Sequence, residues 1–185
     1  MKLNIFFLEG DDSVAAERAL LVGTDDPDAP IAARVVVDCG WGERLRIDVA
    51  QSQECVCFQA VRTAGVHAYI GYGARLFIVN VVTDEVAIHE MDQYFCDLYD
   101  ASDLDTTADD FCMWASSSSA LYAFGAAGTL LWKAEHLGLD GVIAHAATET
   151  HIRGSGEWDP PDGWEPFIVD RLTGERISVG THSHP

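Results

Sequence analysis

The chain has 185 residues, 48% of them hydrophobic, which is enough for a single domain over 1–185 that buries roughly 70% of its unfolded surface. Asp and Glu number 30 against 11 Lys and Arg, a formal net charge of −19. Such a surface repels nucleic acid and anionic lipid heads, whose recognition is built from lysine and arginine, and it attracts a basic partner.

The opening apolar run, Ile5–Leu8, is too short for a secretory signal, and acids follow at once. No apolar run approaches membrane-spanning length, so a cytoplasmic protein is expected. The 5 cysteines (Cys39, Cys55, Cys57, Cys96, Cys112) form no CxxC pair, so free thiols in a reducing compartment are expected rather than disulfides or zinc.

In chain order, Leu3–Leu8 reads as a strand. Val14–Val22 is open between a helix, favoured by its Ala and Leu, and a strand over Leu20–Gly23. TDDPDAP at Thr24–Pro30 is a loop. Ala33–Asp38 and Leu45–Val49 read as a hairpin around the tight turn Cys39–Glu43. In its second strand Leu45, Ile47 and Val49 point inward, against Arg44, Arg46 and Asp48 outward. Residues 1–50 are therefore expected to form N-terminal β-hairpins.

From residue 54 the chain becomes a series of short strands. They are predicted at Cys55–Val61, Val66–Tyr72, Leu76–Val82, Glu85–His89, Tyr94–Tyr99, Phe111–Ala115, Ala120–Phe124, Thr129–Glu135, Asp140–Ala146, Thr150–Trp158, Glu165–Asp170 and Glu175–Val179. Asp97–Asp110 is an acidic loop, Ser116–Ser119 a turn, Asp159–Gly163 (DPPDG) a rigid loop, and Thr181–Pro185 a loose tail.

Within this region one stretch returns. Leu76–Glu85 reads LFIVNVVTDE, Leu121–Thr129 reads LYAFGAAGT and Phe167–Glu175 reads FIVDRLTGE. Phe77, Tyr122 and Phe167 are 45 residues apart, as are Val79, Phe124 and Val169. All six are predicted to face the core, each trio on one face.

The pattern "strand, Asp or Asn, two residues, Thr, Gly or Asp, strand" stands as NVVTDE at Asn80–Glu85 and DRLTGE at Asp170–Glu175. A period of about 45 residues with four short strands is that of a β-propeller blade. Over roughly residues 54–180 the chain resembles quinoprotein-type and related propellers. The middle copy, GAAGT, is one residue shorter and lacks the Asp, while Trp132 fits the aromatic such blades often carry. The resemblance implies an all-β fold: an antiparallel meander of three blade-like repeats, as a partial propeller or twisted sandwich, with at most one short helix. Three blades fall below the usual minimum of four for a ring. The expected state is a monomeric meander, or a homodimer where two copies complete the ring.

The chemistry-bearing motifs are sparse. No phosphate-cradling glycine loop and no His pair at helical zinc spacing occur, and Ser155 stands in GSGEW rather than a nucleophile elbow. His145 and His151 flank a turn and can approach across a hairpin. No catalytic residue, metal site or cofactor is assigned. The most site-like cluster is the loop Trp158, Asp159, Asp162 and Trp164, two tryptophans and two acids, of a kind that binds sugars or cations or inserts into a partner. Asp103 and Asp105 in the acidic loop are further candidates, although calcium-loop spacing is missing. The expected function is a non-enzymatic acidic protein that binds a basic protein, such as an immunity-type inhibitor of a bacterial toxin. The alternative is a carbohydrate-binding or glycan-processing β-protein using the Trp158–Trp164 loop.

Overall fold

A computed structural model describes residues 3–9, 16, 18–40, 42–51, 58–107 and 113–178. Among them the regular structure is entirely β, as 15 strands in four sheets with no helix. The first sheet holds β1 (Asn4–Phe7), β2 (Arg18–Val22), β3 (Ile31–Asp38) and β4 (Arg44–Ala50) in the order β1-β3-β4-β2. The second is the meander β5 (Gln59–Ala64), β6 (His67–Tyr72), β7 (Arg75–Asn80) and β8 (Val86–Glu90). The third repeats that plan with β9 (Phe95–Tyr99), β10 (Met113–Ser117), β11 (Leu121–Phe124) and β12 (Leu130–Ala134). The fourth has β13 (Val142–Ala147), β14 (His151–Glu157) and β15 (Trp164–Asp170). None of the sheets closes into a barrel. The predicted all-β meander of blade-like repeats is what the chain forms.

The sheets stack face on face in chain order. Side chains alternate across a strand, so β6 sends Ala68 and Ile70 to the first sheet and Tyr69 to the third. β7 likewise divides Phe77 and Val79 from Leu76 and Ile78. In the third sheet Met113, Ala115, Tyr122 and Phe124 meet the second, while Trp114, Leu121 and Ala123 meet Val142, Ile152 and Phe167 of the fourth. Strands covered on both faces need apolar residues at every position. That is why β6, β7, β10 and β11 read as continuous runs while β4, at one end of the stack, alternates as predicted. At Gly71 the second and third sheets leave no room for a side chain: a Cβ there would lie 2.2 Å from the Phe95 ring. The first strands line up in turn, β1 beside β5, β5 beside β9 and β9 beside β13, with no comparable packing of β13 on β1 among the described residues.

The 45-residue repeat has a clear structural meaning. Phe77, Tyr122 and Phe167 are all buried, and each faces the sheet preceding its own; Val79, Phe124 and Val169 lie beside them on that same face. The turns after β7 and β15 share one set of hydrogen bonds. Asn80 Oδ1 accepts from the Val82 and Thr83 N–H groups at 3.0 and 3.3 Å. Asp170 Oδ1 accepts from Leu172 and Thr173 N–H, both at 2.9 Å. The left-handed position is Asp84 (φ 61) in one and Gly174 (φ 73) in the other. Gly174 also has no room for a side chain, since a Cβ would lie 2.6 Å from the Trp132 ring. The middle turn omits the side-chain cap: Gly125 N–H reaches Thr129 O and Gly128 N–H reaches Gly125 O.

Three expectations are corrected and one open alternative is resolved. The N-terminal region is not a set of hairpins alone, because β2 joins the sheet parallel to β4. The Val14–Val22 alternatives resolve at Arg18–Val22 as a strand, whose Leu20 packs on the first-to-second sheet core; Val14, Ala15 and Glu17 lie outside the described residues. Ser116 and Ser117 belong to β10 and are fully buried, as is Ser118. Their hydroxyls tolerate burial because they are bonded, Ser117 Oγ accepting from Ala120 N–H at 3.0 Å and Ser118 Oγ donating to Asp92 O at 2.8 Å. Of the strand predicted over Glu175–Val179, the described part, Glu175 to Ser178, keeps one bridge, between Val169 and Arg176, and Val179 lies outside the described residues. Glu175 to Ser178 are all exposed, so no buried side chain anchors the segment as Trp132 and Ala134 anchor β12.

Candidate binding groove

A groove of about 320 Å³ opens between β9 and β13, the edge strands of the third and fourth sheets. Cys96, Asp97 and Tyr99 of β9 form one wall, and Asp140, Gly141, Val142 and Ile143 form the other. Glu157 and Trp164, a cross-strand pair beside the loop of the β14–β15 hairpin, and Phe58, just before β5, complete it. Three aromatic rings and three carboxylates thus converge, with no lysine or arginine in the lining. Two grooves of similar size, one beside β15 at Arg176 and one beside His67 and Gly128, bring no such set of carboxylates to an aromatic wall.

Each carboxylate is held in place by one of its oxygens. The Tyr94 hydroxyl lies 2.7 Å from Asp140 Oδ1 and 2.6 Å from the Asp140 carbonyl oxygen, able to donate to either. Glu157 Oε1 accepts the Asp162 N–H at 3.1 Å, and Asp97 Oδ1 accepts the Leu98 N–H at 2.8 Å. Phe58 rests against Tyr94, ring centroids 6.1 Å apart. The Asp97 carboxyl reaches solvent, yet partial burial raises its pKa above the usual carboxylate value. The Leu98 N–H and Arg62 oppose that rise, and Asp103 adds to it. Burial likewise pushes the Tyr99 phenol up to about 12, with the Ser116 hydroxyl, 3.4 Å away, working against it. The Trp164 indole packs against Gly141, where a Cβ would lie 3.2 Å from the ring.

The sequence-predicted candidates fall in several places. Trp164 lines the groove and is 40% exposed. Trp158 is half-buried, its Nε1 buried without a hydrogen-bond partner among the described residues. Asp159 and Asp162 lie exposed at the hairpin tip, which is closed by Trp158 N–H to Gly163 O and Gly163 N–H to Asp159 O. Asp103 caps the turn it stands in, accepting the Asp100 N–H, and pairs with Arg62 at 3.5 Å. Asp105 is exposed with a positive φ of 53. Asp109, Asp110, Cys55, Cys57, Cys112, His182 and His184 lie outside the described residues. The loop around Asp103 is pinned by buried Leu104, whose carbonyl accepts from Ala147 N–H.

Sequence reasoning missed Phe58, Asp97, Tyr99, Asp140 and Glu157 as groove residues, since these come from four separate segments. The one available signal was that Glu157 and Trp164 bracket the rigid DPPDG loop.

Two other clusters carry polar chemistry. His145 Nε2 lies 2.8 Å from Ser155 Oγ on the outer face of the fourth sheet. A serine nucleophile also needs free N–H groups for an oxyanion, and β14 is a middle strand whose ladder bonds run to both neighbours. His151 instead bonds Thr148, Thr150 and Arg153. Near Ser119, Lys133 pairs with Asp92 and Glu135 at 2.9 and 2.7 Å, and these bonds hold it charged, so it is no base for the neighbouring hydroxyls. Among the described residues no three His, Cys, Asp or Glu side chains gather as a metal cage, and no helix is long and apolar enough to cross a membrane. Comparison with protein-family models, with curated proteins and with solved structures finds no match to this chain.

Proposed function

We propose that this chain is a binding protein for a basic protein partner. The observation that carries the reading is the groove: carboxylates Asp97, Asp140 and Glu157 beside exposed aromatics Phe58 and Trp164, with no cation in the lining. It sits on a chain of formal net charge −19, whose field draws a cationic partner in and aligns it. An inhibitor that covers the active site of a basic toxin is one protein of this kind. The test is affinity capture on the immobilised chain at low ionic strength, where charges act over a Debye length of about 30 Å, against elution at about 1 M salt, where it is about 3 Å. A specifically retained protein of basic isoelectric point, released by salt, is the expected result. Retention of only neutral or acidic proteins, or of none, counts against the reading.

A further inference from the structure

We propose that the groove between β9 and β13 receives an arginine side chain of the basic partner, its guanidinium over the Trp164 ring and bonded by the carboxylates Asp97, Asp140 and Glu157. The inference rests on the reading of the chain as a binder of a basic protein and adds which side chain it takes, and where.

The arrangement of acceptors comes first. Each carboxylate spends one oxygen on an internal donor: Asp97 Oδ1 on Leu98 N–H, Glu157 Oε1 on Asp162 N–H, and Asp140 Oδ1 beside the Tyr94 hydroxyl. No hydrogen bond or salt bridge to the second oxygen of each is seen among the described residues, and Arg62 acts on Asp97 only through its field. Each carboxylate is thus oriented by an internal donor and keeps acceptor capacity for a ligand. The nearby cation, Arg62, is engaged with Asp103 at 3.5 Å and with the Val61 carbonyl at 3.1 Å, and it does not line the groove.

The aromatic wall decides between the two basic side chains. Trp164 and Phe58 remain 40% and 51% exposed, an apolar surface beside negative charge. A guanidinium is planar and weakly hydrated, stacks on an aromatic face and presents five N–H donors around its edge. Acceptors on three separate segments, beside two exposed rings, suit that shape. An ammonium is a compact point charge that keeps its water more tightly, so it gains less from the ring and loses more on entering.

The experiment uses the full chain and three short peptides of equal length, carrying arginine, lysine or uncharged citrulline at the same positions. Binding is followed by titration and by the NMR shift of the Trp164 indole N–H. The arginine peptide is expected to move that signal and to bind about tenfold more tightly than the lysine peptide, with citrulline inactive. Trp164→Ala is expected to remove most of that preference, and Glu157→Gln to weaken arginine binding by about tenfold. Trp164 is half out of the protein, and an unchanged amide spectrum identifies a folded variant. Equal binding of arginine and lysine peptides, insensitive to Trp164→Ala, overturns the proposal while leaving the basic-partner reading intact, since surface charge alone then suffices. Failure of all peptides, together with capture of a basic protein by wild type and Trp164→Ala alike, overturns it in the same way. Failure of all peptides and of capture removes both.

Discussion

At the scale of single residues, His89 shows how burial sets a pH response. It lies on β8, edge-on to Phe124 with ring centroids 5.1 Å apart, and its Nε2 is buried without a partner among the described residues. Burial, which disfavours the charged ring, lowers its pKa below the ordinary histidine value. The unfolded chain therefore takes up a proton near pH 6.5, before the folded one does. Above that pH the protonation of His89 takes nothing from the fold, and stability is lost progressively as pH falls from about 6.5 toward the lowered folded value. The urea midpoint of the wild type is expected to drop between pH 7 and pH 5 more steeply than that of His89→Phe. Parallel profiles for the two would show that the imidazole has no part in it. Cys39 shows a related effect: burial is the leading cause of a raised thiol pKa, opposed by Arg18, so the thiol stays protonated and unreactive near neutrality.

At the scale of elements, one turn recurs after β7 and β15. Asn80 and Asp170 stand at the same place and accept the same two backbone N–H groups. An amide oxygen thus does in one turn what a carboxylate does in the other. In the second turn those bonds, joined by the Thr173 hydroxyl, lower the Asp170 pKa. Asp170→Asn is expected to leave the thermal midpoint nearly unchanged, whereas Asp170→Ala lowers it by about 2–4 °C through the loss of the cap. Equal midpoints for the two variants would show that the backbone holds the turn unaided. This motif was legible in the sequence because Asx caps and left-handed positions are local chemistry. The strand faces were legible only through the 45-residue repeat: LFIV and HAYIGY contain no alternation, and a run buried on both sides carries no mark of which neighbour each residue meets. The groove was legible only at Trp164. Phe58, Asp97 and Asp140 are brought together by the lining-up of β5, β9 and β13, which leaves no trace in residue spacing.

At the scale of the whole molecule, the four sheets form a stack with two ends. Each core cluster joins one sheet only to its neighbour, the first to the second, the second to the third and the third to the fourth. Amides of β6, β7, β10 and β11 are shielded on both faces and should exchange with solvent most slowly, while β15 and the segment after it, with Trp164, Leu172 and Ile177 exposed, should exchange first. Hydrogen exchange followed residue by residue checks this order; uniform protection across all four sheets would mean that the stack opens only as a single unit. The groove acquires a mechanical meaning in such a stack. Its walls come from the segment leading into the second sheet, the edge strand of the third, and the edge strand and hairpin of the fourth. A bound side chain would touch all three and act as a clasp, so that an event at one edge tightens layers that otherwise know only their immediate neighbours.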